Sequence, residues 1–169
     1  QAALKAGVEF RTECPVTELI VEGGKVTGVA TPHGRIGARL GVLVNAGGYA
    51  QNQAMRDKYM PGTKTIWSNT PEGDTGDLHV EMERIGAVLA QMDQMVGYQT
   101  SQMPGYEKGY VRPPIQSVTG KPRAILVDQS GVRYMNEGGS YMEFCQNQLK
   151  RNETVPAVPS WWISDEQSM

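Results

Sequence analysis

Three short segments carry residues whose types and spacing could do chemistry. In Val42-Leu-Val-Asn-Ala-Gly-Gly-Tyr49 an apolar run ends in two glycines. Lacking Cβ atoms, Gly47 and Gly48 let the backbone approach a large ligand, and amides at a following helix start can face a phosphate or a cofactor edge. A plain strand-to-helix turn uses the same residues. In Gly73-Asp-Thr-Gly-Asp77 two acids and two glycines meet at one helix entrance, more than capping requires. Carboxylates there could accept bonds from ligand hydroxyls, and an elaborate cap is the competing account. The third segment, Gly131-Val-Arg-Tyr-Met-Asn-Glu137 followed by Gly138-Gly-Ser-Tyr141, puts polar groups and adaptable backbone past a strand end, where α/β proteins place their sites. Tyr141 is then a candidate acid or base. Half-buried packing is the alternative role, because an unperturbed phenol with a pKa near ~10 is a poor base at neutral pH.

Other chemistries find little support. Cys14 and Cys145 are far apart without a CxxC or a His-rich companion, so they suggest neither a disulfide framework nor zinc, and no metal site is expected. His33 and His79 lack ligand-spaced partners and suit turn and helix-surface roles. Sixteen Lys and Arg against 18 Asp and Glu give a net charge of -2, which offers no basic field for nucleic acid. No run approaches the ~18 apolar residues of a membrane span. Trp161-Trp162 and the nine methionines fit a core or an interface better than a cofactor contact.

These segments need elements to position them. A length of 169 residues allows one ordinary domain or part of something larger, and 20 glycines with ten prolines imply short elements joined by many turns. Gln1 to Ala6 reads as the end of a helix closed by Gly7, so the native start is expected to be missing. Val16 to Ala30 alternates as a hairpin around Glu22-Gly-Gly-Lys25. Arg35 to Leu40 reads as a short strand, and Gly41 to Ala46 as a strand buried on both faces, as in a parallel sheet. Asn52 caps a helix running to Tyr59, which Pro61-Gly62 ends. Asp77 caps another, whose apolar face carries Val80, Ile85, Val88, Leu89 and Met92. Roughly thirty residues from Asp93 to Pro122 lack periodicity and read as a loop. Ala124 to Val127 pairs with Val132 to Met135 around Asp128-Gln-Ser-Gly131, Glu143 to Arg151 is helical, and Trp161 to Ile163 is a strand. The fold class is α/β, becoming α+β in the second part.

Taken in order, Gly7-Val-Glu-Phe10, the hairpin, Val44-Asn-Ala-Gly-Gly-Tyr-Ala-Gln-Asn52, Gly73 to Asp77, Ile125-Leu-Val-Asp128 and Arg133-Tyr-Met-Asn-Glu137 resemble the FAD-dependent fumarate reductase, succinate dehydrogenase and 3-ketosteroid dehydrogenase flavoprotein superfamily. The resemblance implies that residues 1–62 are part of a Rossmann-like FAD-binding domain whose GxGxxG strand lay upstream. It implies that 63–169 are part of a substrate or capping domain, and that the chain is an internal piece of a longer flavoprotein. Val16 then matches the position whose backbone meets the adenine, and Ala46, Gly47 and Gly48 the turn near FAD. Thr75, Gly76 and Asp77 match the helix entrance on the flavin side, and Asn52 and Glu137 are further cofactor-binding positions. The sequence departs from the family at Leu78, where a glycine is usual.

The same resemblance separates activities at Tyr141. Fumarate reductases carry a proton-delivering arginine shortly after Asn-Glu, whereas Gly138-Gly-Ser-Tyr141 is similar to the ketosteroid dehydrogenases, where a tyrosine takes the proton. Without an arginine there is no bidentate clamp for a carboxylate, so a steroid or other hydrophobic ketone suits the site better than fumarate. The implied reaction moves a hydride between a substrate carbon and flavin N5 while Tyr141 exchanges the proton on the adjacent carbon. The alternatives are a fumarate reductase-like enzyme and a non-catalytic piece that does not retain FAD. A cytoplasmic location is the expectation.

Overall fold

The computed structural model describes residues 1–94, 97, 120 and 122–166. Most of the loop expected from Asp93 to Pro122 therefore lies outside the described residues. The chain forms two compact units, one built from Gln1–Gly47 with Asp77–Leu89, the other from Gly48–Gly76 with Ala90–Met169.

The first unit contains helix α1 (Ala2–Lys5), an antiparallel sheet of β1 (Glu18–Glu22), β2 (Lys25–Thr31) and β3 (Gly34–Gly37) in that order, and helix α3 (Asp77–Arg84). The hairpin forms as its sequence demands. Glu22 pairs with Lys25, and Gly23 and Gly24 sit at φ +57° and +75°, in the region where a side chain is strained. Gly28 is needed for a different reason, since a Cβ there would lie 2.3 Å from the Ile36 carbonyl oxygen of β3. Leu19 and Ile20 provide the buried apolar side chains of the sheet.

An unpaired edge strand invites another chain to add to it. Here the Leu19 N–H donates to Glu81 Oε1 of α3 at 2.5 Å, while Arg84 Nη2 donates to the Leu19 carbonyl at 3.1 Å and to Glu81 at 2.7 Å. The edge of β1 is thus closed by side chains. The Arg84 bond is the main influence holding the Glu81 carboxyl below its usual range, opposed by desolvation and aided by the Leu19 amide.

Two expectations fail in this unit. Gly41 to Ala46 joins no sheet among the described residues, and Leu43 is 92% exposed while Val42 and Val44 are half-buried. A buried parallel strand needs a partner on each side, and no strand among the described residues pairs with this segment. Helix α3 ends at Arg84 instead of continuing to Met92: Gly86 takes φ +96°, which turns the chain out of the helix and leaves Val88 91% exposed.

The second unit contains α2 (Gln53–Tyr59), a 3₁₀ turn at Thr65–Trp67, β4 (Ala124–Val127), α4 (Tyr141–Asn152) and β5 (Trp161–Ser164). Asn52 caps α2 by accepting from Met55 N at 3.1 Å, as its side chain predicts. The partner of β4 is β5, antiparallel with Val127 opposite Trp161. Val132 to Met135 contributes only a single bridge, Val127 with Arg133, because the Asp128 turn and Glu137 take the surrounding backbone bonds. Leu126, Val127, Phe144, Cys145 and Ala157 are buried.

Asp128 is fully buried beneath this layer. It accepts from Ser130 N at 2.8 Å and Ser130 Oγ at 2.6 Å, from Val132 N at 3.1 Å, and from Arg151 Nε and Nη2 at 2.9 and 2.7 Å. One carboxylate therefore fixes the turn after β4 and the last turn of α4. The Ser130 hydroxyl contributes most to holding it far below the usual carboxylate range; desolvation works against this, and Arg151 with the two amides adds to it.

Candidate functional site

A polar constellation in the second unit gathers around Gly48–Asn52 and Asp74–Gly76. Asp74 Oδ1 accepts from the Gly48 amide, and Asp74 Oδ2 from the Ala50 amide at 3.4 Å. Its carbonyl accepts from Gln51 N at 2.9 Å, and Asn52 Nδ2 donates to the Thr75 carbonyl, also at 2.9 Å. Asn52 thus does double work, capping α2 with its oxygen and holding Thr75 with its nitrogen. Gly76 is buried at φ +74° with Met55 and Tyr49 packed against it. Arg56, 8% exposed, donates from Nη1 to the Ala50 carbonyl and from Nε to Thr63 Oγ1, both at 3.0 Å. Burial weakens its hold on its proton.

The structure therefore brings Gly48, Asn52, Thr75 and Gly76 into one corner. Asp74, Gln51 and Arg56, which hold that corner together, were not singled out from the sequence. For Asp74 the signal was present, since Gly73 to Asp77 carries one acid more than a cap needs. For Arg56 the sequence shows only a basic residue on a helix.

Glu137 is 6% exposed, and its oxygens are taken by the Leu126 amide at 2.7 Å and by Arg133 at 2.6 and 3.2 Å. Burial, the largest single influence, opposes its ionisation. The Arg133 bond and the Leu126 amide outweigh it and keep the carboxyl below its usual range. Glu137 Oε1 thus seals the edge of β4 while Arg133 braces both oxygens, as Glu81 with Arg84 does for β1.

Tyr141 is the first residue of α4, just after the cap Ser140, whose Oγ accepts from Glu143 N at 3.2 Å. Ser140-Tyr-Met-Glu143 has the spacing of a capping box. Tyr141 is 53% exposed, and its hydroxyl has no hydrogen-bond partner among the described residues. The Tyr49 hydroxyl, by contrast, donates to the Met92 carbonyl, and Tyr134 shares a hydrogen bond with Ser160 at 2.8 Å. Burial raises both of those phenols above their ordinary value.

In the first unit, Val16 is half-buried and precedes Thr17, which ties the chain to the Ala30 carbonyl at 2.9 Å. Asp77 is the exposed first residue of α3. Ala46 and Gly47 are exposed, and their backbone makes no hydrogen bond among the described residues. Small residues with open backbone fit the edge of a large planar ligand. Gly48 is open on its Cα face as well, where a Cβ would meet only the Asp74 oxygens at 3.7 and 3.8 Å. The chain has no GxGxxG turn for a pyrophosphate. Among the described residues no cluster of His, Cys, Asp and Glu could hold a metal, and no helix is long and apolar enough to cross a membrane.

The chain belongs to the FAD-binding domain family, whose pattern matches residues 1–167. It is 31% identical to a 3-oxosteroid 1-dehydrogenase of Mycolicibacterium smegmatis, over 96% of this chain and 30% of that protein. It is 32% identical to a 4-oxocyclohex-2-ene-1-carboxylate 5-dehydrogenase of Sinomonas cyclohexanicum, over 100% of this chain and 30% of that protein. The crystal structure of a 3-ketosteroid delta1-dehydrogenase from Sterolibacterium denitrificans, in complex with 1,4-androstadiene-3,17-dione, superposes with a TM-score of 0.86 at 31% identity, covering 99% of this chain and 31% of that one. Fumarate-reducing and urocanate-reducing flavoenzymes are also relatives. The chain spans about 30% of the length of the two dehydrogenases and of the ketosteroid dehydrogenase structure, and it is a mixed helix-and-sheet chain whose structural neighbours are FAD-dependent oxidoreductases.

Proposed function

We propose that this chain is part of an FAD-dependent dehydrogenase acting on a carbon-carbon bond next to a ring ketone, with Tyr141 as the proton acceptor. The observation that carries the reading is the state of the described tyrosines. Tyr49 and Tyr134 are hydrogen-bonded and raised by burial, and Tyr59 is half-buried with its ring against Tyr49, while the Tyr141 hydroxyl is exposed at the N-terminus of a capped helix. The named substrates of the two dehydrogenase relatives, an oxosteroid and an oxocyclohexene carboxylate, share a ring ketone.

FAD, when bound, supplies the two-electron acceptor. Val16, Ala46, Gly47, Gly48, Asn52, Thr75, Gly76 and Asp77 are the residues proposed to hold it. Glu137 is proposed to contribute by fixing the strand edge from which the chain runs to Tyr141. In this reading 1–62 belong to the FAD-binding domain, of Rossmann type, and 63–169 to the substrate domain. Tyr141 takes the proton from the carbon beside the ketone through its phenolic oxygen, and the Ser140 cap fixes the backbone from which it projects. The Arg133 guanidinium is engaged by Glu137, so it offers no free fork for a dicarboxylate.

The test is Tyr141→Phe in the full-length protein, assayed with 3-ketosteroid and simpler ring-ketone substrates. The expected result is turnover lowered by roughly 10²-fold with flavin absorbance unchanged. Unchanged turnover rejects the assignment of Tyr141. Reduction of fumarate in preference to oxidation of ketones would favour the reductase alternative, and a protein without flavin absorbance would favour the non-catalytic one.

A further inference from the structure

The Gly48 and Ala50 amides lie two residues apart and turn toward one carboxylate, the arrangement in which backbone concavities bind anions. Here the anion is the protein's own Asp74. It is half-buried, takes part in no ion pair among the described residues, and accepts from one of these amides with each of its oxygens. Three further bonds tie the same turn: Asn52 N to the Tyr49 carbonyl at 2.9 Å, Gln51 N to the Asp74 carbonyl at 2.9 Å, and Arg56 Nη1 to the Ala50 carbonyl at 3.0 Å. A negative and a positive side chain thus hold one short turn by its N–H groups and its carbonyl. The sequence alone suggests that amides after Gly47 are available to a phosphate. The structure gives the Gly48 and Ala50 amides an internal partner instead.

We propose that Asp74 is a positioning residue, an internal counter-anion that fills the Gly48–Ala50 amide concavity and holds the turn in the shape that meets FAD. The inference rests on the FAD reading above. Asp74 touches no reacting atom. It keeps two amides from seeking a phosphate or water, and it leaves the open Cα face of Gly48 as the surface presented to a ligand. The acceptor is two-pronged, because each oxygen receives a different amide.

The test uses the full-length protein with Asp74→Ala and Asp74→Asn, measuring FAD affinity by flavin fluorescence in the presence and absence of sodium formate. Asp74→Ala is expected to weaken FAD binding ~10-fold or more, as loss of bonds to a charged group implies. Formate, a free carboxylate small enough for the vacated space, is expected to restore part of the affinity, whereas chloride at equal ionic strength does not. Asp74→Asn retains one acceptor but turns an amino group toward the second amide. It is expected to fold, to bind FAD more weakly than wild type, and not to respond to formate. FAD affinity unchanged in both variants overturns the inference, and so does a loss that formate leaves untouched in Asp74→Ala. Should Asp74→Ala not fold, wild-type affinity in Asp74→Asn overturns it alone. A wild-type protein that binds no FAD refutes the proposed function instead, which keeps the two failures apart.

Discussion

Gly76→Ala would place a methyl group where the structure has no room for one. The backbone there has φ +74°, and an added Cβ would lie 2.6 Å from Met55 Sδ, 2.8 Å from Tyr49 Cβ and 3.4 Å from Met55 Cε. Holding a non-glycine residue in that conformation costs about 1–3 kcal/mol. Crowding a packed site costs about 1–3 kcal/mol more, and the smaller conformational freedom of alanine in the unfolded chain offsets roughly 0.4–1 kcal/mol. The balance is a destabilisation of about 3 kcal/mol, a large share of the ~5–15 kcal/mol that holds a domain folded. The two contacts differ in kind. The Met55 thioether can swing aside, but Tyr49 Cβ is fixed by its own backbone. Met55→Ala combined with Gly76→Ala should therefore be less damaging than the sum of the single changes, with a coupling of about 0.5–3 kcal/mol. Urea unfolding followed by circular dichroism measures all four members of this cycle, provided their m-values agree. A Gly76→Ala protein within about 0.5 kcal/mol of wild type would refute the packing argument, since that is the range of an indifferent surface change. Strict additivity in the cycle would place the cost in the backbone and the Tyr49 contact, with none at Met55.

Two further outcomes follow from titratable groups. The Asp128 carboxyl is lower in the folded chain than in the unfolded one, so its contribution to stability is complete above about pH 4 and is lost as the pH falls below that value. The melting temperature of Asp128→Asn should accordingly be lower than wild type at neutral pH and fall less steeply on acidification; parallel curves would contradict this. Cys145 is buried, and desolvation pushes its thiol up to about 11. Iodoacetamide at neutral pH should modify the half-buried Cys14 ahead of Cys145, whose labelling should require denaturant, and peptide mass mapping would expose the opposite order.

Local rules were readable in the sequence where a residue acts on its immediate neighbours. The Gly23-Gly24 turn, the Asn52 cap and the helix around Glu143 all depend on bonds spanning two to four residues, and all three form. The start of α4 at Tyr141, two residues before the expected Glu143, depends on the Ser140–Glu143 relation, which is also local. Long-range pairing was not readable. Nothing in Trp161–Ser164 specifies β4 as its partner over Val132 to Met135, because that choice is made by Asp128 and Glu137 drawing the intervening chain into side-chain bonds. Gly41 to Ala46 has the composition of an interior strand, but composition does not supply a neighbour. The candidate corner was half legible: its glycines and caps stood out by type, while Asp74 and Arg56 act on residues 26 and six positions away.

The two sheets share a way of finishing their borders. On each, a leucine amide that would otherwise face solvent ends on a glutamate braced by an arginine three or four residues away, Glu81 with Arg84 on one and Glu137 with Arg133 on the other. Such a seal holds only while it stays ionised. Acid strong enough to neutralise both glutamates would bare two short hydrogen-bonding rims before the apolar interior gave way, leaving strand-to-strand clumping of still-structured molecules, more than simple unravelling, as the route by which low pH damages this chain.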